Sequence, residues 1–158
     1  MKTGIFATAM SVAALLLAPQ LSSADALTPQ DYVEIEQLYA QYNLSIDTND
    51  AEGWADTFVP DGVFMSFTGR DALIGFVRQW HEKMNGGQRR HWNSNLRITG
   101  DSANANGTVY LAMVDFVTKS IISTGMYKDT LVRTPQGWRF TKRSIVRDAL
   151  PAAAASAK

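Results

Sequence analysis

Apolar residues recur at three- and four-residue steps from Tyr32 through Ile35, Leu38, Tyr39 and Tyr42 to Ile46, the spacing of an amphipathic helix with one buried stripe. Thr28-Pro29 supplies its N-cap and first-turn proline, and Asp31 makes that turn acidic. The pattern predicts an end near Asn49. Asp50 caps a short second helix that carries Trp54 and Phe58 on one face. Val59-Pro60-Asp61-Gly62 reads as a turn, and residues 63–67 as a short strand. Thr68-Gly69 introduces a third helix striped by Leu73, Phe76, Val77, Trp80 and Met84, which Asn85-Gly86-Gly87 closes.

The second half reads as strands. Residues 90–99 form one, and Gly100-Asp101 opens a polar connection. Residues 107–118 are nearly continuous apolar sequence, as in a strand buried on both faces. Residues 124–133 and 138–147 flank the hairpin turn Pro135-Gln136-Gly137. Three helices followed by antiparallel strands define an α+β chain. The expected architecture is a curved antiparallel sheet of about four to six strands with the helices on its concave side. Such a sheet makes a cone with one open end, suited to a small molecule.

Both ends fall outside that pattern. Lys2, an apolar run over residues 5–17 and Ala24-Asp25-Ala26 have the order and size of a secretory signal, too short for a membrane span. Cleavage is expected after Ala26, with Ala24 as the other choice. Residues 27–148 then form one domain, and the alanine-rich tail 149–158 is expected to be disordered. The 158 residues include no cysteine, so an exported form relies on its core rather than on disulfides. The formal net charge is zero, which argues against a nucleic-acid face or a polybasic membrane anchor. A small, largely apolar partner fits better.

The chain has only two histidines, and His91 stands in the stretch RRHWNSNLRITG. Strict alternation places His91, Asn93, Asn95 and Arg97 on one strand face, and Trp92, Ser94, Leu96 and Ile98 on the other. A polar strand face is most simply a solvated one, but a neutral imidazole is also a natural base near neutral pH. Asp47 falls about 100° or more from the centre of the first helix's stripe, so it reaches a pocket only if the last turn tilts or loosens and is otherwise exposed; near a helix C-terminus its carboxylate calls for a nearby cation. Tyr42 is either core or a hydrogen-bond donor. Arg143 shares a strand face with Arg139, Thr141 and Ile145, which leaves surface and site both open. His81, after Trp80, reads as an exposed helical residue. Two histidines on different elements do not make a zinc site, and no phosphate-loop or nucleophile-elbow motif is present. Neither a cofactor nor a metal is expected.

The order of longer motifs goes further. YAQYNLSID (39–47), WADTFVPDGVF (54–64), GRDAL (69–73), HWNSN (91–95) and GWRFTKR (137–143) resemble the SnoaL-like group of the NTF2-like superfamily. The resemblance spans the chain from Leu27 to about Asp148. It implies an NTF2-like cone, with the strongly curved antiparallel sheet wrapped around three N-terminal helices. Within the group the pattern is nearest to the branch of scytalone dehydratase, bile-acid dehydratase and hexachlorocyclohexane dehydrochlorinase. Those enzymes eliminate water or HCl with an aspartate–histidine pair, whose places fall on Asp47 and His91. The bile-acid dehydratase tyrosine falls on Tyr42, and the dehydrochlorinase arginine on Arg143. The resemblance thus implies His91 as base, Asp47 as its orienter, and Tyr42 and Arg143 on the electrophilic side. It also implies a cofactor-independent lyase acting on a hydrophobic cyclic substrate, and a homodimer formed through the outer face of the sheet. A non-catalytic ligand-binding or accessory module of the same shape is the alternative.

The sequence also departs from these relatives. The dehydrochlorinase has lysine at the place of Tyr42, and scytalone dehydratase has a second functional histidine on a later strand, whereas none follows His91 here. Ketosteroid isomerases carry their base aspartate where this chain reads Met65-Ser66-Phe67, which argues against that chemistry.

Overall fold

A computed structural model describes residues 25–149. The expected signal segment up to residue 24 and the tail from residue 150 lie outside the described residues. The chain runs α1 (Pro29–Thr48), α2 (Ala51–Ala55), β1 (Phe58–Phe64), β2 (Phe67–Thr68), α3 (Arg70–Lys83), a 3-10 turn (Gly86–Gln88), β3 (Arg89–Gly100), β4 (Asn104–Asp115), β5 (Ser120–Thr134) and β6 (Gly137–Arg147). One open, curved six-stranded sheet in the order β2-β1-β6-β5-β4-β3 packs on the three helices. The fold is the α+β, NTF2-like cone. The sheet is mixed rather than wholly antiparallel, because β1 pairs parallel to β6.

Several boundaries differ from the expected ones for local reasons. The expected turn at 59–62 lies inside β1, where the register to β6 shifts between Phe58 and Val63 and the four residues bulge out of the ladder. Phe58 therefore opens a strand instead of extending α2. The expected strand 63–67 is split at Met65, whose φ of +54° turns the chain into β2. Met84 is the exposed C-cap of α3 rather than part of its stripe. Strand β4 ends at Asp115 because that carboxylate accepts the backbone N–H groups of Val117 and Thr118 and closes a hairpin. Only one face of β4 is deeply buried, and Tyr110 on the other is exposed.

Two further bulges decide which side chains enter the cone. In β3 the pairing to β4 shifts between Ser94 and Arg97, and Asn95 adopts φ +57°. The alternation reverses there. His91 and Asn93 face inward before the bulge, and Leu96 and Ile98 pack on the core after it. In β6 the register passes from Leu131↔Phe140 to Thr130↔Lys142, leaving Thr141 as the extra residue. Arg143 consequently joins Trp138 and Phe140 on the inner face, not Arg139 and Thr141 as strict alternation requires. Residues of α1, β4, β5 and β6 then share one core around Tyr39, Tyr42, Tyr127 and Phe140.

At the closed end, Asp31 ties α1 to the β5–β6 turn. Thr28 and Asp31 form a capping box, with the Thr28 N–H donating to Oδ2 at 2.9 Å. The same carboxylate accepts from the buried Trp138 Nε1–H at 3.1 Å and pairs with Arg133. The Thr28 hydroxyl first, then its backbone N–H, holds the Asp31 carboxyl below its ordinary value. A depressed carboxyl contributes stability that is complete above the ordinary carboxylate range and is lost as pH falls through the folded-state value. Asp31→Ala is therefore expected to cost about 1–3 kcal/mol at pH 7, since it strands the Trp138 indole N–H. In urea unfolding the difference from wild type should shrink as the pH approaches 3; a difference independent of pH would contradict this tether.

Candidate active site

A cavity of about 270 Å³ opens at the end of the cone where β6 ends and α3 stops. Its walls are mostly apolar, among them Ile46, Phe64, Phe76, Trp80, Met113 and Ile145. Three inner polar side chains interrupt them: His91, Tyr42 and Tyr127. Met65, Met84 and Arg147, all exposed, stand at the rim. A larger trough of about 1020 Å³ runs between α1 and the β5–β6 turn, but Gln30, Gln37, Gln41, Arg133 and Gln136 make it polar and it holds neither histidine.

His91 is buried, and its Nδ1 lies 2.6 Å from Asp47 Oδ1. The other carboxylate oxygen, Oδ2, accepts the His91 backbone N–H at 3.0 Å. A carboxylate only accepts, so Nδ1 carries a ring proton, and it is Nε2 that faces away from Asp47. The Asp47 side chain reaches this place although it lies well off the apolar stripe. The flank of α1 carrying Asn43 and Asp47 rests on the edge strand β3, where Asn43 Nδ2 donates to Asn93 Oδ1 at 2.7 Å. Four helix residues advance about 6 Å and two strand residues about 6.6 Å, so the pairs Asn43–Asn93 and Asp47–His91 come into register. The helix needs no loosened last turn. A carboxylate near a helix C-terminus is unfavourable by itself, and here the two N–H donors of His91 offset that.

His81 is not the free surface residue the helical pattern suggests. It is half-buried, and its Nε2 lies 2.5 Å from the Ile46 carbonyl oxygen. With Nε2 protonated, it donates to one of the carbonyls left open at the end of α1, beside Asp47.

Tyr42 lies in the middle of the stripe, wholly buried, and also lines the cavity, so core and site are the same place for it. Its hydroxyl has no hydrogen-bond partner. Burial above all pushes this phenol well above its ordinary value. Tyr127, likewise buried, is pushed up to about 12, again mainly by burial. Trp80, another wall residue, has an unpaired buried indole N–H. A buried donor without an acceptor costs about 1–3 kcal/mol, which a ligand can recover.

Arg143 is fully buried and is not among the lining residues. Its Nε and Nη2 donate to the two oxygens of Asp129, both at 2.9 Å, and Nη1 has no partner. The guanidinium lies 4.1 Å from the ring centroids of Tyr42 and Tyr127, 4.4 Å from Phe140 and 4.5 Å from Tyr39. Burial works against its charge, but Asp129 outweighs that and the pKa rises. The Tyr39 hydroxyl also donates to Asp129. A Cβ at Gly107 would meet that hydroxyl at 1.9 Å, so glycine there leaves room for the phenol to reach the carboxylate.

The structure thus places His91 and Tyr42 in the wall of one cavity, while Asp47 stands behind His91 and Arg143 stacks on the Tyr42 and Tyr127 rings, both outside the lining. The sequence offers Tyr127 as pocket lining or core alike, and it does not single out Asp129. A signal for Asp129 exists: it is a charge between Tyr127 and Leu131, all three on the inward phase of β5. Among the described residues no cluster of three metal-ligating side chains occurs, and no helix is long and apolar enough to cross a membrane.

Comparison with known proteins matches this geometry to a family. An uncharacterized protein of Mycobacterium tuberculosis is 28% identical over 121 residues, covering 72% of this chain and 82% of that one. The structure is similar to a protein of unknown function with a cystatin-like fold from Nostoc punctiforme (TM-score 0.73, 25% identity, 80% of this chain and 98% of that one). It is also similar to a candidate scytalone dehydratase from Novosphingobium aromaticivorans (TM-score 0.62, 27% identity, 76% of this chain and 85% of that one). Residues 28–144 match the SnoaL-like domain, more than half of the chain, and the protein belongs to that family.

Proposed function

We propose that this SnoaL-like protein is an exported, cofactor-independent lyase that removes water or a similar small leaving group from a hydrophobic cyclic substrate. The observation that carries the reading is the 2.6 Å contact of Asp47 with His91, a residue in the wall of a mostly apolar cavity. His91 Nε2 takes the proton from substrate carbon, and Asp47 fixes the tautomer and stabilises the imidazolium as it forms. The Tyr42 hydroxyl, buried and unpaired, serves the departing or charged oxygen. The likeness to a candidate scytalone dehydratase agrees with dehydratase chemistry, while dehydrohalogenation uses the same base.

A non-catalytic ligand-binding or accessory module is the rival. It requires no histidine–carboxylate pair, and a purely structural module requires no cavity. Export is supported by the sequence pattern of the first 26 residues. Self-association through the outer face of the sheet is supported by exposed Trp92, Tyr110 and Val146 on that face. Intact mass and sedimentation of the secreted protein check both: the account expects a chain beginning at residue 25 or 27 and twice the monomer mass.

A ligand that binds the folded state stabilises it, so cyclic terpenoids, steroids and aromatic polyketide-like compounds can be screened by thermal shift. For a compound that is turned over, His91→Ala should lower kcat by about 10²–10⁴-fold in protein that still unfolds cooperatively, at a lower temperature because the buried Asp47 carboxylate loses one of its two donors. Asp47→Ala should follow in the same direction. Turnover retained in His91→Ala would dispose of the base assignment.

A further inference from the structure

Beyond the bulge at Thr141, β6 sets Arg143, Ile145 and Arg147 on one inward phase that runs from the core to the mouth of the cavity. The two arginines differ in what faces them. Arg143 is neutralised by Asp129, whereas Arg147 enters no ion pair among the described residues. Arg147 donates from Nη1 to the Ser123 hydroxyl at 2.8 Å, which leaves the Nε and Nη2 edge of its guanidinium open. Among the described residues that line the cavity, Arg147 is the only one with a fixed charge, and none is a carboxylate. Sheet register fixes where that charge stands. His91, Met113 and Ser123 are direct neighbours across β3, β4 and β5. Direct partners share a face, so Ser123 lies on the inner side, two strand spacings or about 10 Å from His91. The guanidinium held at Ser123 thus stands at the mouth, about the length of a fused ring system from the histidine.

We propose that Arg147 and Ser123 form an anion-binding subsite at the mouth, which makes the ligand of this cavity an amphipathic carboxylate, with an apolar ring body inside and one acid group at the rim. A carboxylate fits the open edge of Arg147, since its two oxygens accept side by side from Nε–H and Nη2–H. One arginine balances one negative charge. A phosphate dianion would leave a second charge uncompensated beside an apolar wall. An acid group anchored about 10 Å from His91 also fixes which end of the ring body enters first, so the same part of the ligand meets the histidine at each binding event. A neutral hydrophobic ligand fills the same walls but gains nothing from Arg147. The subsite rests on the reading of this cavity as the ligand site and not on His91 as base.

Calorimetric titration of the purified protein with 4-(2-naphthyl)butanoate and with its methyl ester separates the charge from the apolar body and requires no turnover. Near neutral pH the acid is ionised and should bind about tenfold more tightly than the ester, between the effect of an exposed ion pair and that of a buried charged hydrogen bond. The difference should narrow as salt is added. Arg147→Gln, at an exposed position and with the melting curve of wild type, should remove the preference by weakening the acid and leaving the ester unchanged. Arg147→Lys should keep part of it, as a point charge without the parallel donors. His91→Ala should keep all of it, so a failed base assignment and a failed anion subsite give different results. The subsite is overturned if neither probe binds, if the ester binds as tightly as the acid, or if the preference survives Arg147→Gln. A preference lost in His91→Ala would overturn it as well, by placing the anion on the imidazole.

Discussion

The arrangement of this cone depends on one buried charge. Arg143 has no exposure to solvent, and a guanidinium in that position is tolerable only when an opposite charge and its hydrogen bonds replace water. Asp129 supplies two of those bonds from the neighbouring strand, in direct register at Asp129↔Arg143. Four aromatic faces, from α1, β5 and β6, enclose the rest of the group. Leaving either charge without the other costs about 3–5 kcal/mol, so the pair strongly favours one packing of helix against sheet. That packing positions Tyr42 and, one and a half turns later on the same helix, Asp47.

Asp47 then depends on a second fit, between a helical turn and a strand. Asn43 and Asp47 are four apart on α1, and Asn93 and His91 two apart on β3, with the two elements running in opposite directions. The polar edge of the helix and the polar face of the strand thereby satisfy each other inside the cone. His81 from α3 bonds the last turn of α1 from another side. The result is a histidine with one ring nitrogen held by a carboxylate and the other facing away from it, in a wall that is mostly apolar. This is the arrangement a general base needs, and a hydrophobic ligand needs the remainder of that wall.

Much of the fold was legible in the chain. The 3.6-residue stripe of α1, its Thr28 cap, the turn at 135–137 and the succession of three helices and long strands all have direct counterparts in the structure. What alternation does not reveal is a bulge. A single extra residue at Asn95 places Leu96 and Ile98 on the same inner face as His91, and another at Thr141 brings Arg143 inward with Phe140. Neither is marked by glycine or proline. The candidate residues Asp47, His91 and Tyr42 entered through motif resemblance, since periodicity alone left each with a bland reading. The pairs Asn43/Asp47 and His91/Asn93 did carry a signal, matching polar repeats on two elements, but it becomes visible only once those elements are known to touch. Asp129 looked like one more charge on a strand until its register with Arg143 was known.

The most direct measurement of the account is hydrogen exchange at carbon. 2-Tetralone, a compact bicyclic ketone with acidic protons beside its carbonyl, can be incubated with the protein in D₂O and followed by proton NMR. The account predicts protein-dependent loss of those proton signals, faster than in buffer alone and reduced to the buffer rate in His91→Ala. A ketone shown to bind the cavity but exchanging no faster than in buffer, or exchanging equally fast with the His91→Ala protein, would contradict it.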